Sequence, residues 1–272
     1  MEGNQSVRTW IEDLPKRGRI TFSIDDVERE FMNMAKETIQ SSIYRLVKKG
    51  RVCSVWRNYY VVVPDEYALR GFVPPIEYID SLMRRLSHRY YVGLLSAAAL
   101  HGSSHQQPQS FMVATDSDNI KSKLGKNVDL RFFVKSHMCD DNLQRKSASY
   151  GEVMVSDPLM TALDLVLYEN RIGGLERAAE VIDGLVEELD IASSNPALWA
   201  SFPTPVIQRF GYIVELILGY TELGDAVNQI IRGMGNGFRK SLLDPRAKSI
   251  NIDEYPYNPR WKIIANIDLE MD

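Results

Sequence analysis

The chain has 272 residues, 44% hydrophobic and 25% charged, with a formal net charge of -4. This is globular composition, long enough for two domains, and it lacks the basic excess of a protein coated in nucleic acid. No apolar run approaches the ~18 residues of a membrane span, Met1 to Trp10 is too polar for a secretory signal, and a cytoplasmic protein is expected.

Val7, Ile11 and Leu14 recur at helical spacing before Pro15 and Gly18, which predicts a first helix over 5–16. Ile20, Phe22 and Ile24 then alternate with polar residues as a short strand. Ser23 ahead of Asp25, Asp26 and Glu28 is the signature of a capped helix, expected over 25–33. A third helix should run to Lys49, with Ile39, Ile43, Leu46 and Val47 on one face, and stop at Gly50. Its other face offers Lys36, Thr38, Gln40, Ser41, Tyr44, Arg45 and Lys48, all able to donate to phosphates or base edges. Two β-rich runs follow, 51–55 and 59–63, and Asn58 between them can take the left-handed conformation of a tight hairpin.

Charge follows the same boundary. Residues 1–72 hold 12 Lys+Arg against 10 Asp+Glu, the remainder 20 against 26. The segment from Lys36 to Arg57 concentrates Lys36, Arg45, Lys48, Lys49, Arg51 and Arg57 against the single acid Glu37. Helix, strand, helix, helix, hairpin is the order of a winged helix-turn-helix, so double-stranded DNA is the expected partner. Its contacts are predicted at Lys36, Thr38, Gln40, Ser41, Tyr44, Arg45, Lys48 and Lys49 on the helix and at Arg57 and Asn58 on the wing. The competing reading of the same pattern is a protein-interaction scaffold.

Pro74 and Pro75 mark a boundary, giving a winged helix over 1–72 and a larger mixed α/β domain over 73–272, an α+β chain overall. In that second part, helices are predicted at 76–86, 92–100, 157–169, 174–189, 204–219 and 223–232. Strands are predicted at 109–115, 130–135, 152–155 and 261–267. Tyr90, Tyr91, Phe132, Phe133, Tyr168, Phe210 and Tyr212 are expected in the core. Arg131, Lys135, Arg145, Lys146, Arg209, Arg239 and Lys240 are expected as scattered surface charge.

The run Tyr90-Tyr-Val-Gly-Leu-Leu-Ser-Ala-Ala-Ala-Leu-His-Gly102, with Gln106-Gln-Pro108 after it, resembles the AbiEi antitoxin family of abortive-infection, type IV toxin–antitoxin systems. Thr161-Ala-Leu-Asp-Leu-Val166 with Tyr168, Gly173-Gly174-Leu175, and Gln208-Arg-Phe-Gly-Tyr212 are similar to further family stretches in the expected order, as are Trp261 and Asn266 near the end. The resemblance implies a winged-helix regulator that represses its own operon from its own promoter, joined to a domain with antitoxin activity. The functional partner it implies is a nucleotidyltransferase toxin, opposed without a stable complex, in a phage-defence setting. Asn58 departs from the family's wing, where Gly is expected before the tyrosine.

Catalytic alternatives are few. Gly102-Ser103 followed by Asp116 and Asp118 has the order of a metal-dependent nucleotidyltransferase signature, but Ser117 and Asn119 place the carboxylates in a turn rather than on one strand face. His101 and His105 stand at zinc-helix spacing, yet Gly102, Ser103 and Ser104 interrupt the helix. Cys53 and Cys139 lack partners at metal-ligand spacing and read as plain thiols. No enzyme, cofactor or metal is expected.

Overall fold

The computed structural model describes residues 6–103, 108–125, 128–235, 237–247 and 251–269. The chain is a mixed α+β protein. Helix α1 (Val7–Glu12) starts at Ser6, whose hydroxyl accepts from the Thr9 amide. Strand β1 (Thr21–Ser23) runs directly into α2 (Ile24–Glu30), which is closed by a reciprocal capping box. Ser23 Oγ accepts from the Asp26 amide at 3.1 Å, while Asp26 Oδ2 accepts from the Ser23 amide at 2.8 Å. Helix α3 (Lys36–Lys48) buries Ile39, Ile43 and Leu46, the face its period predicts.

Strands β2 (Val52–Trp56) and β3 (Tyr59–Val62) form the antiparallel hairpin, and β1 pairs with β3 to give a sheet of order β1-β3-β2. Asn58 takes a φ of 55°, the left-handed conformation expected of it. The hairpin register shifts between Ser54 and Trp56. Trp10, Ile11, Phe22, Val27, Ile39, Ile43 and Leu46 make one apolar cluster with strand residues Val52 and Val62, and Phe22 stacks on Tyr60 at 5.4 Å between ring centroids.

Beyond residue 73 come α4 (Ile79–Leu86), β4 (Tyr90–Val92), α5 (Leu94–Leu100), β5 (Phe111–Thr115), β6 (Lys123–Gly125), β7 (Val128–Val134), β8 (Leu143–Ala148) and β9 (Gly151–Ser156). Six of these elements form a sheet of order β6-β7-β5-β4-β9-β8, with β4 and β9 parallel and β6 and β7 antiparallel. Helices α6 (Pro158–Leu167), α7 (Leu175–Asp183), α8 (Pro196–Ala200), α9 (Thr204–Tyr212) and α10 (Thr221–Gly233) follow. Helix α6 packs against α5, α7 and α9. Short strands β10 (Ser241–Leu242), β11 (Tyr257–Asn258) and β12 (Ile263–Ile264) close the chain in a small sheet of order β10-β12-β11.

Two compact units result. One comprises Met1–Tyr90, Asn119–Phe132 and Arg145–Met154; the other comprises Tyr91–Asp118, Phe133–Gln144 and Val155–Asp272. The first thus runs past the 72/73 boundary read from the proline pair. Ser81 Oγ on α4 lies 2.9 Å from Thr21 Oγ1 and 2.6 Å from the Tyr59 hydroxyl, and Arg85 pairs with Asp25 at 2.8 Å. The Glu77 carboxylate accepts from the Tyr67 hydroxyl, the Ser149 hydroxyl and the Tyr150 amide. Such bonds between residues far apart in sequence outweigh the local break at Pro74 and Pro75.

Several expectations are corrected. The helix predicted from Val92 begins at Leu94, because Tyr90, Tyr91 and Val92 are a buried strand and Gly93 turns the chain. A Cβ on Gly93 would meet the Phe133 ring at 2.9 Å. The helix predicted over 204–219 widens into a π turn, Ile213–Ile217, carrying Glu215, which accepts from Trp261 Nε1 and Arg260 Nε, both at 2.8 Å. The closing strand spans only Ile263–Ile264, with Trp261 buried in the turn ahead of it. Lys135, expected on the surface, is buried at 3% exposure. Arg209 is half-buried, donating through Nε to the Leu242 carbonyl. Of the seven aromatics expected in the core, Tyr168 and Tyr212 are half-buried and the other five are buried.

Candidate nucleic-acid interface

Helix α3 is built to keep one face wet. Its three buried aliphatics anchor it, while Arg45 and Lys48 in its last turn complement the negative end of the helix dipole. Lys36, Thr38, Gln40, Ser41, Tyr44, Arg45, Lys48 and Lys49 are all exposed, as are Arg57 and Asn58 at the hairpin tip. Lys36 is held by Glu28 at 3.3 Å. The side chains of Gln40, Tyr44, Arg45, Lys48, Lys49 and Arg57 have no hydrogen-bond or ion-pair partner among the described residues.

Three of the ten residues meet at one place. Gln40, Tyr44 and Asn58 line a concavity of about 370 Å³ between α3 and the hairpin, together with Ser54 and the apolar Ile24, Ile43, Val47 and Tyr60. Lys36, Thr38, Ser41, Arg45, Lys48, Lys49 and Arg57 do not line it. Ser54 and Tyr60, which sequence reasoning passed over, are register partners across the hairpin and so stand on one face of it. The sequence signal was the period of two along each strand. Burial raises the Tyr60 phenol above its ordinary range and keeps it neutral. The concavity therefore offers two primary amides, three hydroxyls and aliphatic carbon, flanked by cations. It suits hydrogen bonding and apolar contact to a polar edge, and it lacks a nucleophile with an adjacent base.

The second unit holds charge differently. Asp164 on α6 is fully buried; it accepts from Lys135 Nζ at 2.8 Å and from the Tyr91 hydroxyl at 2.6 Å. The same ammonium lies 3.5 Å from the centroid of the Phe202 ring. Burial raises the Asp164 carboxyl above its usual range, and Lys135 and the Tyr91 hydrogen bond oppose that rise. Burial, reinforced by Asp164, also pushes the Tyr91 phenol far up. With every partner inside, this cluster is built to join β4, the chain after β7, and α6.

The residues of the nucleotidyltransferase alternative lie apart from such chemistry. Asp116 and Asp118 are exposed in the turn after β5 rather than on a strand. Ser103 donates to the Val181 carbonyl on α7 at 2.6 Å, so the Gly-Ser turn serves packing. His101 Nε2 lies 2.7 Å from the Ser156 carbonyl, while His105, like Gln106 and Gln107, falls outside the described residues. Cys53 and Cys139 are free thiols. No group of three or more metal-ligating side chains occurs among the described residues, and no helix there is long and apolar enough to cross a membrane.

Residues 91–216, from the buried Tyr91 to the π turn, match the model of the AbiEi antitoxin C-terminal domain. The chain carries an AbiEi antitoxin domain. The Tyr91 and Asp164 ends of the buried cluster lie in two of the stretches that resemble the family, Tyr90 to Gly102 and Thr161 to Val166. This AbiEi domain supports an antitoxin of a type IV toxin–antitoxin system. In fold, the chain is similar to the RV2827C protein from Mycobacterium tuberculosis, with a TM-score of 0.65 at 12% identity over 95% of this chain and 90% of that one. An antigenic nucleotidyltransferase-like protein from Paracoccidioides brasiliensis aligns at a TM-score of only 0.33 and 10% identity, over 56% of this chain and 89% of that one, too slight a likeness to bear on chemistry. No curated protein matches the chain.

Proposed function

We propose that this protein is a DNA-binding antitoxin that represses its own operon. In this reading residues 1–72 are a winged helix-turn-helix, with α3 in the major groove and the Arg57–Asn58 tip as the wing, and residues 73–272 carry the antitoxin activity in the cytoplasm. The activity counters a nucleotidyltransferase toxin without a stable complex and without an enzymatic step of its own. One observation carries the DNA-binding part: the cations and hydrogen-bonding groups of α3 that the fold leaves without internal partners sit on one exposed face beside the hairpin. Exposed cations without partners are what phosphates neutralise, with release of counterions.

The test is fluorescence anisotropy with a duplex from the gene's own upstream region and a scrambled duplex, across a salt series. The upstream duplex should bind preferentially, and its affinity should fall steeply with salt. Replacing Lys48 and Lys49 together by Ala should make the slope of log affinity against log salt shallower by about 0.9 for each phosphate no longer neutralised. Equal, weak binding to both duplexes, untouched by the double substitution, would overturn the repressor reading.

A further inference from the structure

The polar face of α3 carries more than a charge. Its cations, Lys36, Arg45, Lys48 and Lys49, occupy the two ends and one flank, while Gln40 and Tyr44, one turn apart, face the hairpin across the concavity. Gln40 brings a donor and an acceptor on one planar amide, a pairing that matches the N6 amino group and N7 of adenine in the major groove. Guanine presents two acceptors there, N7 and O6, which an arginine fork satisfies and a glutamine amide does not satisfy as a pair. The carbon walls beside Gln40, from Ile24, Ile43, Val47 and Tyr60, offer the apolar contact that a thymine methyl takes.

Glu37 points the same way. Its carboxylate is exposed in the first turn of α3, one turn before Gln40 and Ser41, and has no ion-pair partner among the described residues. A carboxylate repels phosphates and guanine's acceptors alike, whereas it accepts from an exocyclic amino group. An acid kept at the start of a basic face thus acts against the wrong base as well as for the right one.

We infer that α3 reads an adenine·thymine pair, with Gln40 on the adenine edge and the adjoining concavity on the thymine methyl, and that Glu37 disfavours guanine next to it. This rests on the DNA-binding reading above and adds the class of base it selects.

The experiment selects bound duplexes from a pool with a randomised core, using the full chain, and then measures single-pair variants of the winner by anisotropy. One adenine·thymine pair should resist replacement. Changing it to guanine·cytosine should weaken binding by about fivefold to a hundredfold, the range for one bidentate base contact. Substituting 7-deazaadenine, which lacks the N7 acceptor, should weaken it less, and uracil for thymine less again. Gln40→Ala should abolish the distinction while leaving the salt slope unchanged, and Gln40→Arg should move the preference at that pair to guanine. Gln40 is exposed, and circular dichroism checks that both variants fold. If the selected duplexes bind with a steep salt slope but the guanine swap is indifferent, or Gln40→Arg shifts nothing, this assignment falls and the repressor reading stands. If no duplex binds with salt dependence, both fall.

Discussion

Lys48 and Lys135 carry the same ammonium group into opposite surroundings. Lys48 stands in water on α3 without a partner among the described residues, whereas Lys135 is buried against a carboxylate and the face of Phe202. The first leaves its charge available to another molecule. The second commits its charge inside the fold, where Asp164 and the Tyr91 hydroxyl complete its neighbourhood. The comparison separates two meanings of a basic residue: a cation whose neighbours satisfy it belongs to architecture, and one that the fold leaves unsatisfied is available for recognition.

The strongest way to break this comparison is Lys135→Met. Removing one partner of a pair buried at 3% and 0% exposure strands the other charge, and the expected loss is about 3–5 kcal/mol by urea unfolding at neutral pH. The sign with pH follows from Asp164. Its folded carboxyl already sits above the unfolded value, so the stability linked to it is full below the unfolded pKa and is lost as pH rises through the folded one. Without Lys135 the carboxyl rises further, and the variant's deficit should shrink toward acid pH. A loss under about 1 kcal/mol, flat with pH, would mean the pair is incidental.

A middle case is Asp26 at the start of α2. Burial raises its carboxyl, but hydrogen bonds from Ser23 and the guanidinium of Arg19 outweigh burial and hold it below the usual carboxylate range. Its contribution is therefore present above the unfolded pKa and lost as pH falls through the folded one. Asp26→Ala should cost about 1 kcal/mol at neutral pH, as losses of capping interactions do, and the difference from the parent should fade below pH ~4 in acid titrations followed by circular dichroism. The smallest effect sharpens the contrast. The Lys48→Ala, Lys49→Ala pair should change unfolding free energy by no more than about 0.5 kcal/mol while altering DNA affinity. A large destabilisation there would place these lysines in the architecture after all.

The same division explains what the sequence made legible. Helix α3 was readable because its buried and exposed residues alternate with the helical period inside a single segment. The Asn58 turn was readable from one residue's tolerance of positive φ. Lys135 misled because its partner lies 29 residues away on α6, where Pro158 through Val166 are all buried and no polar face betrays a special aspartate. Strand β8 escaped because Leu-Gln-Arg-Lys-Ser-Ala lacks alternating apolar residues, and β4 because three residues are too few to show a period. The α3 face was legible residue by residue. Its concavity was not, since Ser54 and Tyr60 join Gln40 only through the hairpin register.

The order in which the chain is made has a consequence here. The first unit gathers Met1–Tyr90, Asn119–Phe132 and Arg145–Met154, so a ribosome that has released only the opening ninety residues has not yet supplied all of it. Helix α3 and its hairpin are complete early, while Ser149 and Tyr150, which hold Glu77, are translated only after β4, α5, β5, β6 and β7. During synthesis the nascent chain must hold its early helices without those later bonds, and a truncated product would expose the surfaces they cover.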